Sequence, residues 1–265
     1  MHKSRFPKLN RILSGMMLGM MLFSSCAICL PANTMVLQAA TFSGGNGTAS
    51  APYQIATLSQ LQSIPLGDAS NGIHYVLIAD ITETSNQTTP LLNGTFSGTL
   101  DGNNHVLNLK QVLLHTLSST GTVKNINFNC QYTGSYPSIG ILVDPYCQDV
   151  CATSMVAINY GTITNCIGTV NIEYNGSGVS YPTVSGLVGK NDGTITNCGV
   201  TGTLYCYSSS TSIVTYTGGL AGTAGVNNGA STSSYIKNSY FVGSARAVNS
   251  VNNQHARVGS MIAQT

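Results

Sequence analysis

The densest chemistry in this sequence lies in eight residues, DPYCQDVC (144–151). Asp144, Tyr146 and Asp149 could contact a sugar, and two thiols with two carboxylates could hold a metal ion. The competing reading is an Ω-like loop pinned by a disulfide between Cys147 and Cys151. With no histidine nearby, two thiols make a poor zinc set, so neither a metal nor a cofactor is expected. Asp144, Tyr146 and Asp149 therefore stand as binding candidates on a structural loop.

The remaining titratable groups are dispersed. Most of the eight acids are isolated in sequence, and Asp101 and Asp192 each precede a glycine in a turn. His74, His105, His115 and His255 have no serine or cysteine partner in view, so no nucleophilic triad is arguable. The expectation is a protein without catalysis. The alternative is a polysaccharide-active site built on Asp144 and Asp149. Tyrosines recur in the variable segments. Tyr174, Tyr181, Tyr205 and Tyr207 would form an aromatic strip for sugar rings if they share a face.

The elements that must position these residues are repeats. GTVKNI (121–126), GTITNC (161–166), GTITNC (193–198) and SYIKNS (234–239) align. A second marker alternates with them: SIGILVD (138–144), SGLVGKN (185–191), GGLAGTA (218–224) and GSMIAQT (259–265). Within each hexamer a β-branched residue is flanked by polar ones, which is period two and reads as a short strand. Strands this short cannot bury a face alone, whereas stacked units can. Val123, Ile163, Ile195 and Ile236 would then stack inward as one ladder. Asn125, Asn165, Asn197 and Asn238 would form another at a bend, and Cys166 and Cys198 would be neighbours in adjacent coils. These two thiols have catalytic, metal, disulfide and packing readings, of which packing is favoured. The fold expected is all-β, a right-handed parallel β-helix.

Residues 41–118 differ from the repeats and read as an N-terminal cap with the first coils. Thr57 with Gln60 three residues later matches a capping box, predicting a short helix over 58–64. HYVLIADI (74–81) reads as a strand. GTFSGTLDGNNHVLNLK (94–110) reads as strand, tight turn and strand of the hairpin kind. Residues 119–265 carry the repeats, the last of them cut short.

SGLVGKNDGTITNCGVTG (185–202) resembles the GLUG repeat of bacterial exported proteins, GGLVG-x-N-x-G-x-I-x-N-C-Y-x-x-G. Residues 218–243 follow it with an insertion, and 140–168 with a longer one. The resemblance covers nearly all of 41–265. It implies a parallel β-helix at a bacterial surface, in company with adhesin-like proteins and parts of IgA-cleaving metallopeptidases. No H-E-x-x-H occurs, so peptidase chemistry does not carry over.

Residues 1–40 have the layout of a signal peptide: Lys3, Arg5, Lys8 and Arg11, then an apolar run at 12–23, then Ala39 and Ala40 as the cleavage site. Alternatively FSSC (23–26) acts as a lipobox and Cys26 carries a lipid. Without the leader, six cations face eight acids, a net charge of −2. No basic cluster remains, so no nucleic-acid partner is expected. The expected partners are glycans, host matrix or cell-wall components, met at the cell surface or after secretion. The membrane is involved only through the leader or a lipid on Cys26.

Overall fold

In the computed structural model the described residues are 42–84, 89–134, 141–144, 147–176, 182–209, 214–224, 226–227, 230–231, 234–251 and 256–264. The leader, residues 1–40, lies outside them. The described residues form a parallel β-helix. Three long sheets run the length of the stack, and a fourth joins part-way.

Sheet A contains Tyr53–Ile55, His74–Leu77, Thr99–Asp101, Thr122–Lys124, Thr162–Thr164, Thr194–Thr196 and Tyr235–Lys237, all parallel. Its inward column is Tyr53, Tyr75, Leu100, Val123, Ile163, Ile195 and Ile236 in register. Sheet C contains Leu92–Phe96, Leu114–Leu117, Val156–Asn159, Val188–Asn191, Ala221–Ala224 and Ile262–Gln264, also parallel. Sheet B contains Ile81–Thr82, Val106–Leu109, Asn127–Gly134, Ile167–Gly176, Gly199–Ser208 and Tyr240–Asn249. Its strands lengthen along the stack from 2 to 4 to 8 residues and then hold at 10.

That lengthening widens each coil and makes room for sheet D. Its parallel strands are Cys147–Ala152, Pro182–Ser185, Thr215–Gly218 and Ala256–Gly259. Sheet D packs between the far half of sheet B and sheet C. Thr217 Oγ1 donates to the Arg246 carbonyl on sheet B at 3.0 Å. A Cβ at Gly222 on sheet C would meet the Thr183 methyl at 2.2 Å. Pro182–Ser185 and Thr215–Gly218 are buried on both faces, so they lack the inside–outside alternation of a surface strand.

The corners are set by asparagine. Asn125, Asn165, Asn197 and Asn238 all have φ between 50° and 54°, a left-handed conformation that asparagine tolerates better than most residues. Asn165 Nδ2 donates to Asn125 Oδ1 at 3.2 Å, Asn197 to Asn165 at 3.2 Å, and Asn238 to Asn197 at 3.3 Å. Asn125 Nδ2 donates in turn to Asp101 Oδ1 at 3.0 Å.

Four expectations change. HYVLIADI is not one strand: His74–Leu77 belongs to sheet A and Ile81–Thr82 to sheet B, with a corner between them. The GTFSGTLDGNNHVLNLK segment is a corner, not a hairpin. Thr99–Asp101 belongs to sheet A and Val106–Leu109 to sheet B, with Asn103 and Asn104 at positive φ between them. The helix is shorter than 58–64, running Leu58–Gln62 from Thr57, whose Oγ1 accepts from Gln60 N–H at 3.2 Å. The marker SIGILVD is out of register with the other three. Ile141–Asp144 pairs antiparallel with Cys147–Ala152 at the edge of sheet D. The true counterpart of SGLVGKN is TSMVAIN (153–159), since Val156 pairs with Val188 and Asn159 with Asn191.

Candidate functional site

The face on which a strand residue lies follows from its parity, and parity divides the candidate tyrosines. On sheet B, Glu173 aligns with Tyr205, and Tyr205 with Arg246; Asn175 aligns with Tyr207. These residues point outward. Tyr174 aligns with Cys206 and points inward, with 1% of its surface exposed. Tyr174 is therefore a core side chain and leaves the aromatic strip. One residue of offset within the strand is enough to move it to the opposite face. Tyr146 and Tyr181 lie outside the described residues.

Tyr205 and Tyr207, two positions apart on one strand, stand on the same outer face. Both are half-buried, while Asn171, Glu173, Asn175, Thr203, Ser244 and Arg246 around them are exposed. The Arg246 guanidinium lies over the Tyr205 ring, 5.6 Å from its centroid. Glu173, Tyr205 and Arg246 thus form one cross-strand row, with neighbours about 4.8 Å apart. Beside it, Thr169 and Thr201 hydroxyls bond at 3.1 Å, and Asn129 Nδ2 donates to Asn108 Oδ1 at 2.9 Å. The outer face is a lattice of hydroxyls and amides with three phenols, Tyr205, Tyr207 and Tyr240, one ion of each sign, and the exposed aliphatic side chains of Ile167 and Val242 at one end. It can stack on sugar rings and exchange hydrogen bonds with their hydroxyls. Glu173 and Arg246 were not candidates in the sequence. The signal that finds them is the ten-residue alternation shared by Ile167–Gly176 and its neighbours.

The DPYCQDVC cluster takes a different form. Asp144 closes one strand and Asp149 lies within the next, so the segment is an antiparallel pair rather than an Ω-like loop. Leu142 pairs with Asp149, and Asp144 with Cys147. The side chains of Asp144, Cys147, Asp149 and Cys151 lie outside the described residues. The backbone nevertheless bears on the proposed bridge. Cys147 and Cys151 sit four apart on one strand, which separates their Cα atoms by about 13 Å. A disulfide spans at most about 7 Å, so a Cys147–Cys151 bridge does not fit this strand.

Other charged groups are engaged in holding the coils. Lys190 and Asp192 form a buried pair, Nζ to Oδ2 3.2 Å, each side chain 2% exposed. Asp192 thus does more than mark a turn. Burial by itself would raise the Asp101 carboxyl. Donation from Asn103 N–H, the Asn125 amide and Lys124 outweighs it and holds Asp101 below the usual carboxylate range. Asp80 is likewise held low by Val106 N–H and by His105, 3.0 Å away. Burial, with the Glu83 carboxylate nearby, pushes the Cys130 thiol up to about 12. Among the described residues, no three His, Cys, Asp or Glu side chains are placed to share a metal ion.

No protein-family model matches the chain. It is 32% identical to Halomucin of Haloquadratum walsbyi over 151 aligned residues, which cover 48% of this chain and 2% of that protein. Its structure is similar to that of a candidate immunoglobulin A1 protease from Bacteroides ovatus. The TM-score is 0.55 at 21% identity, covering 84% of this chain and 65% of that one. At that identity the likeness establishes the fold. The chain spans less than two thirds of the length of either protein.

Proposed function

We propose that this is a non-catalytic exported repeat protein that binds polymeric ligands, glycans foremost, through the outer face of sheet B. The observation that carries the reading is the row Glu173–Tyr205–Arg246 with Tyr207 beside it, on the exposed outer face of sheet B. An exposed sheet face with regularly spaced strands suits an extended polymer better than a small molecule, which needs a concave pocket. Host matrix and cell-wall components present such polymers at the cell surface. The GLUG resemblance and the leader at 1–40 support export, by cleavage near Ala39 or Ala40 or through a lipid on Cys26.

Binding to a panel of glycans and matrix proteins tests this. Tyr205→Ala with Tyr207→Ala is expected to weaken binding about tenfold or more, since each aromatic contact contributes about 1 kcal/mol. Unchanged binding overturns the site, and release of sugar by the wild type overturns the non-catalytic reading. Loss of that release in Asp144→Ala or Asp149→Ala would place the activity at those acids.

The lengths of the two similar proteins favour a second reading. On it, these coils are one module of a much longer surface protein, such as an IgA-cleaving metallopeptidase, and display or space a domain carried elsewhere. A following peptidase domain in the reading frame, with no ligand held by sheet B, would support it over the first.

A further inference from the structure

We propose that Cys166 and Cys198 are a cross-linking site, joined by a disulfide that staples two consecutive coils. Strand register on either side fixes their positions. Thr164 pairs with Thr196 before them and Ile167 with Gly199 after them, so the two cysteines face each other across adjacent strands. That spacing is about 4.8 Å, inside the Cα range of about 4.4–6.8 Å that a disulfide spans. Gly199 N–H donates to the Cys166 carbonyl at 2.9 Å and ties the two backbones together. Both side chains point inward and are fully buried. The Cys166 thiol donates to the Thr164 carbonyl at 3.4 Å and the Cys198 thiol to the Thr196 carbonyl at 3.2 Å, and the interaction between the two neighbouring thiols raises the Cys166 thiol well above the ordinary range and lowers that of Cys198.

The pairing is specific. Cys130 aligns with Leu109 and Val170, and Cys206 with Tyr174 and Ala247. Among these four buried cysteines, only Cys166 and Cys198 are neighbours across adjacent strands. The rest of the column is Ile126 and Ser239, and Ser239 Oγ accepts from Cys198 N–H at 3.0 Å. A small buried slot explains an isoleucine or a serine there. Two thiols in succession also supply the reactants for a bond.

The chemistry requires a disulfide oxidant, for which oxidised glutathione serves. One of the two thiols, that of Cys198 for example, loses its proton to solvent and attacks one glutathione sulfur, expelling one glutathione thiolate. Cys166 then loses its proton and attacks the Cys198 sulfur, expelling the second glutathione. The protein gives up two electrons and two protons, and the oxidant leaves as two thiols. Because both sulfurs are sealed inside the finished coil, the reaction belongs to the folding chain. The bond closes a loop of about 32 residues and restricts the unfolded chain, so the folded coils gain stability.

The test uses the full chain, refolded with oxidised glutathione, alkylated in denaturant and digested without reductant. Mass spectrometry is expected to show the Cys166 and Cys198 peptides linked and two hydrogens lighter, with Cys130 and Cys206 alkylated. In Cys198→Ser, Cys166 is expected to become alkylated. The wild-type urea midpoint is expected to fall on reduction, and that of Cys166→Ser/Cys198→Ser to stay unchanged. Alkylation of both cysteines in the oxidised wild type overturns the proposal, as does a bond from either to another cysteine or a second chain. The wild-type digest decides the matter even if a variant fails to fold.

Discussion

The two ends of this β-helix solve the same packing problem with different materials. In the narrow first coils, 22 residues carry the chain from Leu92 to its partner Leu114. The interior there is aromatic and aliphatic: Phe42, Tyr53, Tyr75 and Phe96 follow one another with ring centroids 4.9, 5.8 and 6.0 Å apart. In the wide coils, 32 residues separate Val156 from Val188. The extra length is folded inward as sheet D, and buried polar side chains join an apolar core that includes Val170, Ile172, Leu187 and Leu204: Asn159, Thr183, Ser185, Lys190, Asn191 and Thr217 are all buried. Asn159 Nδ2 donates to Asn191 Oδ1 at 2.6 Å, and Asn191 Nδ2 to Ser234 Oγ at 2.7 Å. A strand covered on both faces leaves little volume for large side chains, so small residues that satisfy one another fill it. A coil can be widened by inserting hydrogen-bonded strand beside its apolar core.

If the narrow end depends on apolar volume, truncation there has the largest effect. Phe96→Ala should cost about 4 kcal/mol in urea unfolding. A cost under about 1 kcal/mol would erase the distinction between the ends. In the wide end the sensitive element should be electrostatic. Asp192→Ala strands the buried Lys190 ammonium and should cost about 3 kcal/mol, most of it recovered by adding Lys190→Met. Failure of the second change to recover stability would mean that the pair itself, not its desolvation, holds the coil.

Smaller effects test the corner ladder, which crosses both regions. Asn165→Ala loses two amide bonds and strains a residue at φ 54°, and should cost about 2 kcal/mol. Asn165→Gly removes the strain and should cost about 1 kcal/mol; equal costs would show that conformation plays no part. The smallest change expected is Asp101→Asn, about 1 kcal/mol at neutral pH, since the site is partly open to solvent. The Asp101 carboxyl is lower in the folded chain than in the unfolded one. Its contribution is therefore present above the unfolded value of about 3.9 and lost as pH falls through the folded value. The difference between Asp101→Asn and wild type should shrink as the pH falls below that unfolded value.

The repeated hexamer made sheets A and B legible, because alternation with one face outside leaves a periodic trace. Thr162–Thr164 and Thr194–Thr196 pair in the register that the alignment implies. Sheet D left no such trace. PTVS and TYTG are buried on both faces and alternate in nothing. The misplaced marker had a different cause. SIGILVD looked right in composition, but only TSMVAIN stands eight residues ahead of its hexamer, as SGLVGKN does. Tyr174 was misjudged for want of parity: without the register to Cys206, nothing distinguishes it from Tyr205. The Lys190–Asp192 pair was hidden because a lysine in a glycine-rich strand reads as a surface residue until the covering layer is known.

The asparagine row has a direction. Each amide donates toward the N-terminus, from Asn238 through Asn197, Asn165 and Asn125 to the Asp101 carboxylate. Dipoles aligned this way reinforce one another, and the negative charge sits at the end that anchors them. Every new corner finds its acceptor already oriented by the one before, so the row acts as a template read in a single sense. A chain emerging from the ribosome, acidic end first, presents its corners in that same order.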